Sequence, residues 1–537
     1  MNFDPFSYKY NSKRNLVYSH KGMVSTSHPY AAQAGLDILK KGGNAIDAAI
    51  AAASTLTVVE PTSNGIGADC FAIVWYKNKI YGLNASGYSP NNISIDKLKE
   101  KGFEDIPKFG WEPVTVPGAP AGWASLWKKF GLIDFNKIFK PAIEIAEKGH
   151  PVSPTTSYYW QRASKIYKKM SEKNPELFKN WIKTFTKKGK APVPGELWKS
   201  QDHANTLKKI ASTVSKDFYE GSIAEKIINF SKKTGGYLQF NDLKNYSPSF
   251  VNPISVNYNG YDIWEIPPNG QGITALIALN ILNNFDMKKM NKLDKLHYQI
   301  EAMKLAFADT KYYVTDPDYM DVNPSDLLSK KYGEKRSKLI NDKANKYETG
   351  NPHKGGTVYL AAADKYGNMV SFIQSNYMGF GSGIVVPETG IALQNRGKNF
   401  KFDESHPNCL MPNKRPYHTI IPGFITKNDT AVGPFGVMGG FMQPQGHLQV
   451  ISNLIDKNLN PQESLDAPRW MFNKNKEIYF EKEFDINTIQ KLSRKEHKIK
   501  IPASSGMFGR GQIILKNSQN VYCGGTEKRT DGYIAIY

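Results

Sequence analysis

Thr357 is the residue of this 537-residue chain whose type and setting most directly suggest chemistry. It follows Gly355 and Gly356 and begins the apolar run Thr-Val-Tyr-Leu-Ala-Ala-Ala-Asp. If the chain cleaves itself before Thr357, the freed α-amino group would titrate at about pH 8 and could act as base for the hydroxyl of the same residue. The pattern therefore predicts an N-terminal threonine nucleophile, with an ordinary strand start as the alternative.

The residues after Thr357 predict a β-hairpin. Residues 357–364 and 368–376 are two β-rich runs separated by three residues that end in Gly367, which can adopt the left-handed conformation at the end of such a loop. If the residues flanking the loop pair, Thr357 faces Ser375 with Cβ atoms about 5 Å apart. Ser375 is then placed to hold the nucleophile, although a plain core hairpin would show the same pair. Both runs are largely apolar, which favours a sheet covered on both faces.

Two glycine clusters further along could expose backbone N–H groups to a substrate. They occupy residues 379–383 and 438–441, and the second contains Gly439 and Gly440. Consecutive glycines remove side-chain obstruction, as an oxyanion hole requires. Taken singly, each cluster is also typical of a turn.

Ten motifs in a fixed order make the chain similar to one family. They are residues 22–29, 34–49, 59–61, 65–67, 116–123, 267–272, 301–309, 380–384, 413–416 and 467–469. Together with Thr357 they resemble the γ-glutamyltransferase (γ-glutamyltranspeptidase) family of N-terminal nucleophile hydrolases, over nearly the whole chain.

The resemblance implies an α/β (α+β) fold, a four-layer αββα sandwich formed by two subunits from one precursor. Cleavage between Gly356 and Thr357 would give a large subunit, 1–356, and a small subunit, 357–537, that stay together. A dimer of such pairs is also compatible with the resemblance. It implies an acyl ester on Thr357, support from Ser375, and oxyanion N–H groups from Gly439 and Gly440. No metal or cofactor is implied.

The expected acyl pocket departs from the family pattern. Ser86 stands in place of an arginine that holds the glutamyl carboxylate, and Asn399 replaces the acid that holds the amine. Further changes are Arg396 for a glutamine, Tyr377 for an asparagine, and His418-Thr419 for a serine pair.

These departures weaken the expected grip on a zwitterionic glutamyl group, because a buried charge without a partner is costly. Arg396, Lys398 or Arg415 could replace the carboxylate clamp. Residues 401–412 are also shorter than the lid of many members, which favours hydrolysis over transfer. The pattern resembles that of cephalosporin-acylase-type amidases.

Three functions follow, in order of preference. The first is a γ-glutamyltransferase or glutathione-hydrolase-like enzyme that cleaves a small-molecule γ-glutamyl amide by hydrolysis or transpeptidation. The second is an N-acyl amidase with another acyl group on the same fold. The third is a basic binding protein that keeps the fold without catalysis.

Composition and charge limit which partners and which cellular location we expect. The net charge is +21, and much of the positive charge lies in residues 165–190. A solvated amphipathic helical face explains this positive charge better than a nucleic-acid site, because no nucleic-acid motif accompanies it.

Residues 48–59 are apolar but too short to span a bilayer, and no signal peptide is recognisable. A cytoplasmic protein without a membrane partner is therefore expected. Three scattered cysteines, Cys70, Cys409 and Cys523, predict no disulfide framework.

The remaining pattern predicts the elements around the site. Residues 22–60 suggest two helices joined at Gly42-Gly43, with Asn44 capping the second. Two strand pairs are expected, at 71–83 and at 254–265, the latter turning at Asn259-Gly260. Helices are expected over 120–230, 271–283 and 292–314. His297, His418 and His447 are isolated in sequence and are interpreted as structural, with His418 bordering the acyl pocket.

Overall fold

The computed structural model describes residues 4–6, 13–347 and 356–537 as a mixture of helices and largely antiparallel strands. The strands, numbered in chain order, are β1 (Val17–Ser19), β2 (Gly22–Thr26), β3 (Asp69–Tyr76), β4 (Lys79–Ala85), β5 (His150–Pro151), β6 (Leu197–Trp198), β7 (Ser249–Val251), β8 (Ile254–Tyr258), β9 (Tyr261–Glu265), β10 (Gly356–Asp364), β11 (Met369–Tyr377), β12 (Gly423–Lys427), β13 (Thr430–Met438), β14 (Trp470–Phe472), β15 (Glu477–Phe480), β16 (Lys498–Lys500), β17 (Arg510–Lys516), β18 (Tyr522–Thr526) and β19 (Tyr533–Ile536). The α-helices are α1 (Pro29–Lys40), α2 (Ala45–Val59), α3 (Ile95–Glu100), α4 (Ala119–Phe130), α5 (Phe135–Lys148), α6 (Pro154–Lys173), α7 (Pro175–Phe185), α8 (Gln201–Thr213), α9 (Lys216–Glu220), α10 (Ser222–Lys233), α11 (Phe240–Lys244), α12 (Gly272–Leu282), α13 (Lys292–Tyr313), α14 (Pro324–Leu327), α15 (Lys330–Ser337), α16 (Gln443–Ile455), α17 (Pro461–Asp466) and α18 (Ile486–Arg494).

Two sheets dominate the described residues, and each has seven strands. One follows the order β1-β18-β17-β13-β12-β9-β8, and the other follows β19-β2-β10-β11-β3-β4-β7. All neighbouring strands in both sheets are antiparallel. Each sheet therefore combines strands that precede Thr357 with strands that follow it.

The alternation of side chains along the central strands separates the layers. Phe71, Ile73 and Tyr359 pack between the two sheets, whereas Ala72 and Leu360 pack in the core formed with α1 and α2. On the far side, the sheet that contains β8, β9, β12, β13 and β17 packs against α12, α13 and α16. The order helix, sheet, sheet, helix confirms the predicted αββα sandwich.

Most of the predicted elements near the site are present. The hairpins β3–β4 and β8–β9 are confirmed, and Lys77, Asn78 and Asn259 have the positive φ angles that two-residue hairpin turns use. α2 begins after Asn44, which forms a reciprocal capping box with Asp47.

One element was assigned wrongly. The pattern places residues 22–26 at the start of a helical region, but Gly22–Thr26 is the strand β2, which pairs with β10 and β19. All five residues are buried, so no alternation of polar and apolar residues marks the strand. Its ladder partners lie far along the chain, where local sequence cannot show them.

The basic segment forms the helices α6 and α7, as predicted. Trp160, Tyr167 and Trp181 are buried on their inner faces, and most of the lysines are exposed. Among the described residues, no helix is both long and apolar enough to cross a membrane.

Candidate active site

Thr357, Ser375 and Asp69 form a row across three adjacent strands. They share the alternation of Tyr359, Ile373 and Phe71, and therefore face the space between the two sheets. Ser375 pairs with Asp69 in the ladder between β11 and β3. The Oγ1 atom of Thr357 lies 3.0 Å from the Oγ atom of Ser375, and both residues are fully buried.

The register of the hairpin explains why these hydroxyls meet. From Val358–Gln374 to Ala363–Met369 the strands pair as predicted, and Gly367 has a φ angle of 82° in the turn. The ladder shifts at the start of β10, where Gly356 pairs with Tyr377. Gly356 and Thr357, the two sides of the predicted cleavage site, thus lie next to a local irregularity in the sheet.

Tyr377 has a backbone conformation that a bulky residue rarely adopts, with a φ angle of 74°. This turn of the chain directs its N–H toward the Oγ atom of Ser375, at 2.8 Å. Its ring lies under the guanidinium of Arg396, with 4.4 Å between the ring centroid and Cζ. Tyr377 therefore links the hydroxyl pair to the buried arginine.

Arg396 is fully buried and only partly satisfied. Its NH1 donates to the Oγ1 atom of Thr419 at 2.6 Å, while Nε and NH2 have no hydrogen-bond partner among the described residues. The nearest carboxylate oxygen in an ion pair with it is Oδ2 of Asp69, 4.0 Å from Nε. Burial lowers the pKa of Arg396 to about 10, so the group is a cation at neutral pH. Two unsatisfied donors on a buried cation suit a planar anion.

Asp69 and His418 form a second polar pair in the same layer. Oδ2 of Asp69 lies 3.1 Å from Nε2 of His418, and Oδ1 accepts from the N–H of Gly87. Burial raises the pKa of Asp69 to about 7, although the cation of Arg396 opposes the rise. Burial, with Arg396 and Arg415 nearby, holds the pKa of His418 well below its usual value. His418 is therefore a neutral hydrogen-bonding group at neutral pH.

Gly439 and Gly440 lie at the end of β13, just before α16, with φ angles of 135° and 61°. The side chain of Gln271 fixes this turn to the acyl-pocket segment, because its Nε2 donates to the carbonyl oxygens of Gly440 (2.9 Å) and Thr419 (2.6 Å). Its Oε1 accepts from the hydroxyl of Tyr417. The glycine pair is thus held in a conformation that only glycine adopts easily.

Ser86 and Asn399, the positions that depart most from the family pattern, take different roles. Ser86 is buried and donates to the side chain of Asn84, and it also accepts from Asn269. Asn399 donates to the carbonyl oxygen of Tyr417. It also lines a cavity of about 160 Å³ whose other polar lining residues include Lys311, Lys398 and Lys401.

Sequence reasoning found Thr357, Ser375, Tyr377, Arg396, His418 and Thr419, which the structure brings together through direct contacts. It did not single out Asp69 or Gln271, although both lie within or beside quoted motifs. An acidic residue that stands two positions after Gly65-Ile66-Gly67 and opens an apolar run was the available signal for Asp69. Gln271 gives no signal of its own, because its partners lie in distant segments.

A further cluster of potential metal ligands lies away from this site. The donor atoms of His297, Glu301 and His497 lie within 4.8 Å of one another, and all three residues are buried. The ammonium of Lys304 contacts Oε1 of Glu301 at 2.5 Å, so a cation already serves this carboxylate. His297 and His447, interpreted as isolated, pair with His497 and Glu265.

Comparison with known proteins places the chain in a family. The gamma-glutamyltranspeptidase family model matches residues 31–537. The glutathione hydrolase-like YwrD proenzyme of Bacillus subtilis is 35% identical, with 96% of this chain and 98% of that protein covered. The oxamate amidohydrolase proenzyme of Klebsiella pneumoniae is 31% identical, with 97% and 99% covered. A crystal structure of a cephalosporin acylase from Bacillus halodurans superimposes with a TM-score of 0.97 at 54% identity, covering 100% of this chain and 99% of the other. The chain therefore belongs to the γ-glutamyltranspeptidase family, whose members act as amide hydrolases and transpeptidases.

Proposed function

We propose that the chain is an autoprocessed threonine amidohydrolase that cleaves amides of a carboxylate-bearing acyl group without an α-amine. The observation that carries the proposal is the buried guanidinium of Arg396, which has two donors without a partner among the described residues and contacts the ring of Tyr377 beside the hydroxyl pair. An acyl carboxylate would satisfy these donors in bidentate fashion.

Processing comes first in this proposal. The hydroxyl of Thr357 attacks the carbonyl of Gly356, the peptide nitrogen leaves as the amine of Thr357, and water hydrolyses the resulting ester. The products are the carboxylate of Gly356 and a free α-amino group on Thr357. That amine then serves as the base for the next attack by the same hydroxyl.

Turnover uses the same groups. Thr357 attacks the substrate carbonyl, its proton passes to its own amine, and the N–H groups of Gly439 and Gly440 stabilise the tetrahedral oxyanion. The proton moves to the departing nitrogen, the amine leaves, and water releases the acid from the ester. Ser375 holds the nucleophilic oxygen through its 3.0 Å contact.

The absence of a carboxylate at position 399 argues against a γ-glutamyl substrate. Asn399 stands where the family pattern has the amine-binding acid, and the cavity it lines contains three lysines and one acid, Asp105, which pairs with Lys398. An α-ammonium would meet like charge there. γ-Glutamyl hydrolysis or transfer remains the family alternative, and the glutathione hydrolase-like relative supports it.

The first test is the intact mass of the purified protein beside Thr357→Ala. We expect two fragments, split between Gly356 and Thr357, in the wild type and one uncut chain in the variant. An uncut wild-type chain would favour the non-catalytic binding protein instead.

The second test compares three p-nitroanilides of similar acyl length. Glutaryl carries the carboxylate alone, γ-glutamyl adds the α-amine, and valeryl has neither charge. We expect glutaryl to exceed valeryl by about 10²-fold in kcat/KM, as the loss of a charged hydrogen-bonded contact implies, and also to exceed γ-glutamyl. Fastest turnover of the γ-glutamyl compound would restore the γ-glutamyl assignment.

A further inference from the structure

A cavity of about 520 Å³ opens on the helical layer that contains α13 and α16. It is bounded by these two helices and by the chain segments that lead into β14 and α18. None of its described lining residues belongs to the group around Thr357, Arg396 and His418. Its volume is in the usual range for a small-molecule site, so a ligand other than the substrate could bind there.

The wall of this cavity is mainly apolar. Five apolar side chains line it, namely Leu296, Ala467, Pro468, Trp470 and Phe484. The lining amide of Gln449 is already engaged, because it donates to the carbonyl oxygen of Trp470 at 3.0 Å and accepts from the N–H of Trp470 at 3.1 Å. Asn453 likewise donates to the carbonyl oxygen of Ser464. The wall therefore offers a ligand mainly apolar contact.

Three lysines, Lys292, Lys295 and Lys457, line the same cavity. Lys295 and Lys457 form no salt bridge in the part of the chain that the structure describes. Their ammonium groups donate instead to neutral oxygens, the backbone carbonyl of Lys288 at 3.3 Å and Oδ1 of Asn453 at 2.9 Å. Two cations beside an apolar wall are thus available to an anion.

Two carboxylates also line the cavity, and each has a partner of its own. Asp485 caps α18 by accepting from the N–H of Thr488, and it lies 3.6 Å from Lys292. Glu483 lies 3.9 Å from Lys482. These carboxylates therefore leave the ammonium groups of the other two lysines unbalanced.

The ammonium groups also act on one another. Partial burial lowers the pKa of Lys457, the carboxylate of Asp456 opposes this change, and the charges of Lys292 and Lys295 lower the pKa further. Like charges that share one site disfavour their charged forms, and an anion bound among them would reverse that effect.

We propose that this cavity between α13 and α16 binds a free single-chain amphiphile with one anionic end, such as a fatty-acid carboxylate. The apolar chain lies along Leu296 and Trp470, and the anionic end lies between Lys295 and Lys457. Charge complementarity fixes this orientation, since the wall is apolar and the two ammonium groups lack an anionic partner in the described structure. The inference does not depend on the proposed function, because the cavity shares no described residue with the acyl pocket.

The test is isothermal titration of the purified whole protein with three small probes. Octanoate has the chain and the anion, butanoate has a shorter chain, and 1-octanol lacks the anion. We expect octanoate to bind at least about tenfold more tightly than butanoate, because four more methylenes are buried. It should also bind about threefold to fivefold more tightly than 1-octanol, by a margin that shrinks at high salt.

Lys457→Glu tests the charge, and Lys491→Glu is the matched control, since Lys491 is exposed on α18 and does not line the cavity. We expect Lys457→Glu to weaken octanoate by about threefold to fivefold and Lys491→Glu to leave it nearly unchanged. Arg396→Met removes the cation of the acyl pocket and should not alter the affinity for octanoate.

Three results would overturn the inference. Equal affinity for octanoate and butanoate would mean that no chain is buried, and equal effects of the two lysine variants would mean that no specific charge is involved. Loss of octanoate binding in Arg396→Met alone would place the acid in the acyl pocket. Vesicles of phosphatidylglycerol are the last probe, and binding to them without binding of free octanoate would identify a membrane surface as the partner instead.

Discussion

Arg396 is the residue whose physical state says most about the substrate. A buried guanidinium with two donors lacking a partner among the described residues costs free energy, so its retention between Tyr377 and Thr419 calls for a compensating group. The partly compensating carboxylate, Asp69, is 4.0 Å away and shares its oxygen with His418. The carboxylate of a bound acyl group would accept the remaining two hydrogen bonds of the Arg396 guanidinium.

Substitution of Arg396 should change the activity strongly and the stability of the fold little. Arg396→Met should lower kcat/KM for a glutaryl anilide by about 10²-fold and leave a valeryl anilide nearly unaffected, because only the first loses a charged partner. The folded protein should lose little stability, because the change removes a poorly satisfied buried charge, while Asp69, whose pKa burial raises to about 7, keeps its contact with His418 and can take up a proton. Steady-state kinetics on the two anilides, beside a urea titration, measure both effects. Arg396→Lys is the control, and it should recover only part of the rate because an ammonium cannot bind a carboxylate in a fork. Equal loss on both anilides would contradict the assignment.

At the scale of elements, the sequence predicts structures formed by neighbouring residues and misses pairings between segments that lie far apart along the chain. The β10–β11 hairpin, its turn at Gly367 and the cap of α2 at Asn44 follow from residues within a few positions of one another. The strand β2 was not predicted, because both its faces are buried and its ladder partners lie in distant segments. The contact between Asp69 and His418 was not predicted either, because 349 positions separate the two residues along the chain.

The start of α1 carries a prediction about pH. His28 caps this helix, accepting from the N–H of Tyr30, and burial lowers its pKa to about 3. The unfolded chain binds a proton on His28 below about pH 6.5, whereas the folded chain binds it only near pH 3. The contribution of this neutral histidine is therefore fully present above pH 6.5 and is lost as the pH falls toward 3.

His28→Asn keeps a capping acceptor and removes the titration. Relative to the wild type, the variant should gain about 1.4 kcal/mol of stability for each unit that the pH falls below about 6. Urea unfolding at pH 7, 6 and 5 measures the difference, and Tyr30→Phe, at the neighbouring position, is a control that should show no such slope. A difference independent of pH would mean that His28 is protonated in the folded chain.

At the scale of the molecule, the segment before the predicted cleavage point is tied to both parts of the chain. The backbone of Asn345 donates to Glu301 at 3.1 Å and accepts from Lys304, and the N–H of Ala344 donates to the carbonyl oxygen of Lys495. The Glu301–Lys304 pair is almost completely buried, and His497 lies 4.0 Å from the carboxylate.

Breaking this pair should destabilise the whole molecule. Lys304→Met leaves the carboxylate of Glu301 buried and unpaired, which should cost about 3–5 kcal/mol of unfolding free energy. The double variant Glu301→Gln, Lys304→Met removes both charges and should recover much of that loss. Chemical denaturation of the three proteins at neutral pH gives the comparison, and equal losses in the single and double variants would show that the charges do not matter.

The arrangement of the sheets leads to the last prediction, that cleavage will not separate the two parts. In one sheet, β10 and β11 lie between β2 and β3, so strands that follow Gly356 are enclosed by strands that precede it. In the other, β12, β13, β17 and β18 lie between β9 and β1, so strands from after the cleavage point are again enclosed by strands from before it. Separation would expose ladder hydrogen bonds and the apolar layer between the sheets. The processed chains should therefore elute together in size-exclusion chromatography and separate only in denaturant.

The large fragment, residues 1–356, should lack the cooperative unfolding of the whole protein when it is expressed alone, because both of its partial sheets lack their central strands. A cooperative, monomeric large fragment would show that this part folds independently and that the two parts associate only afterwards.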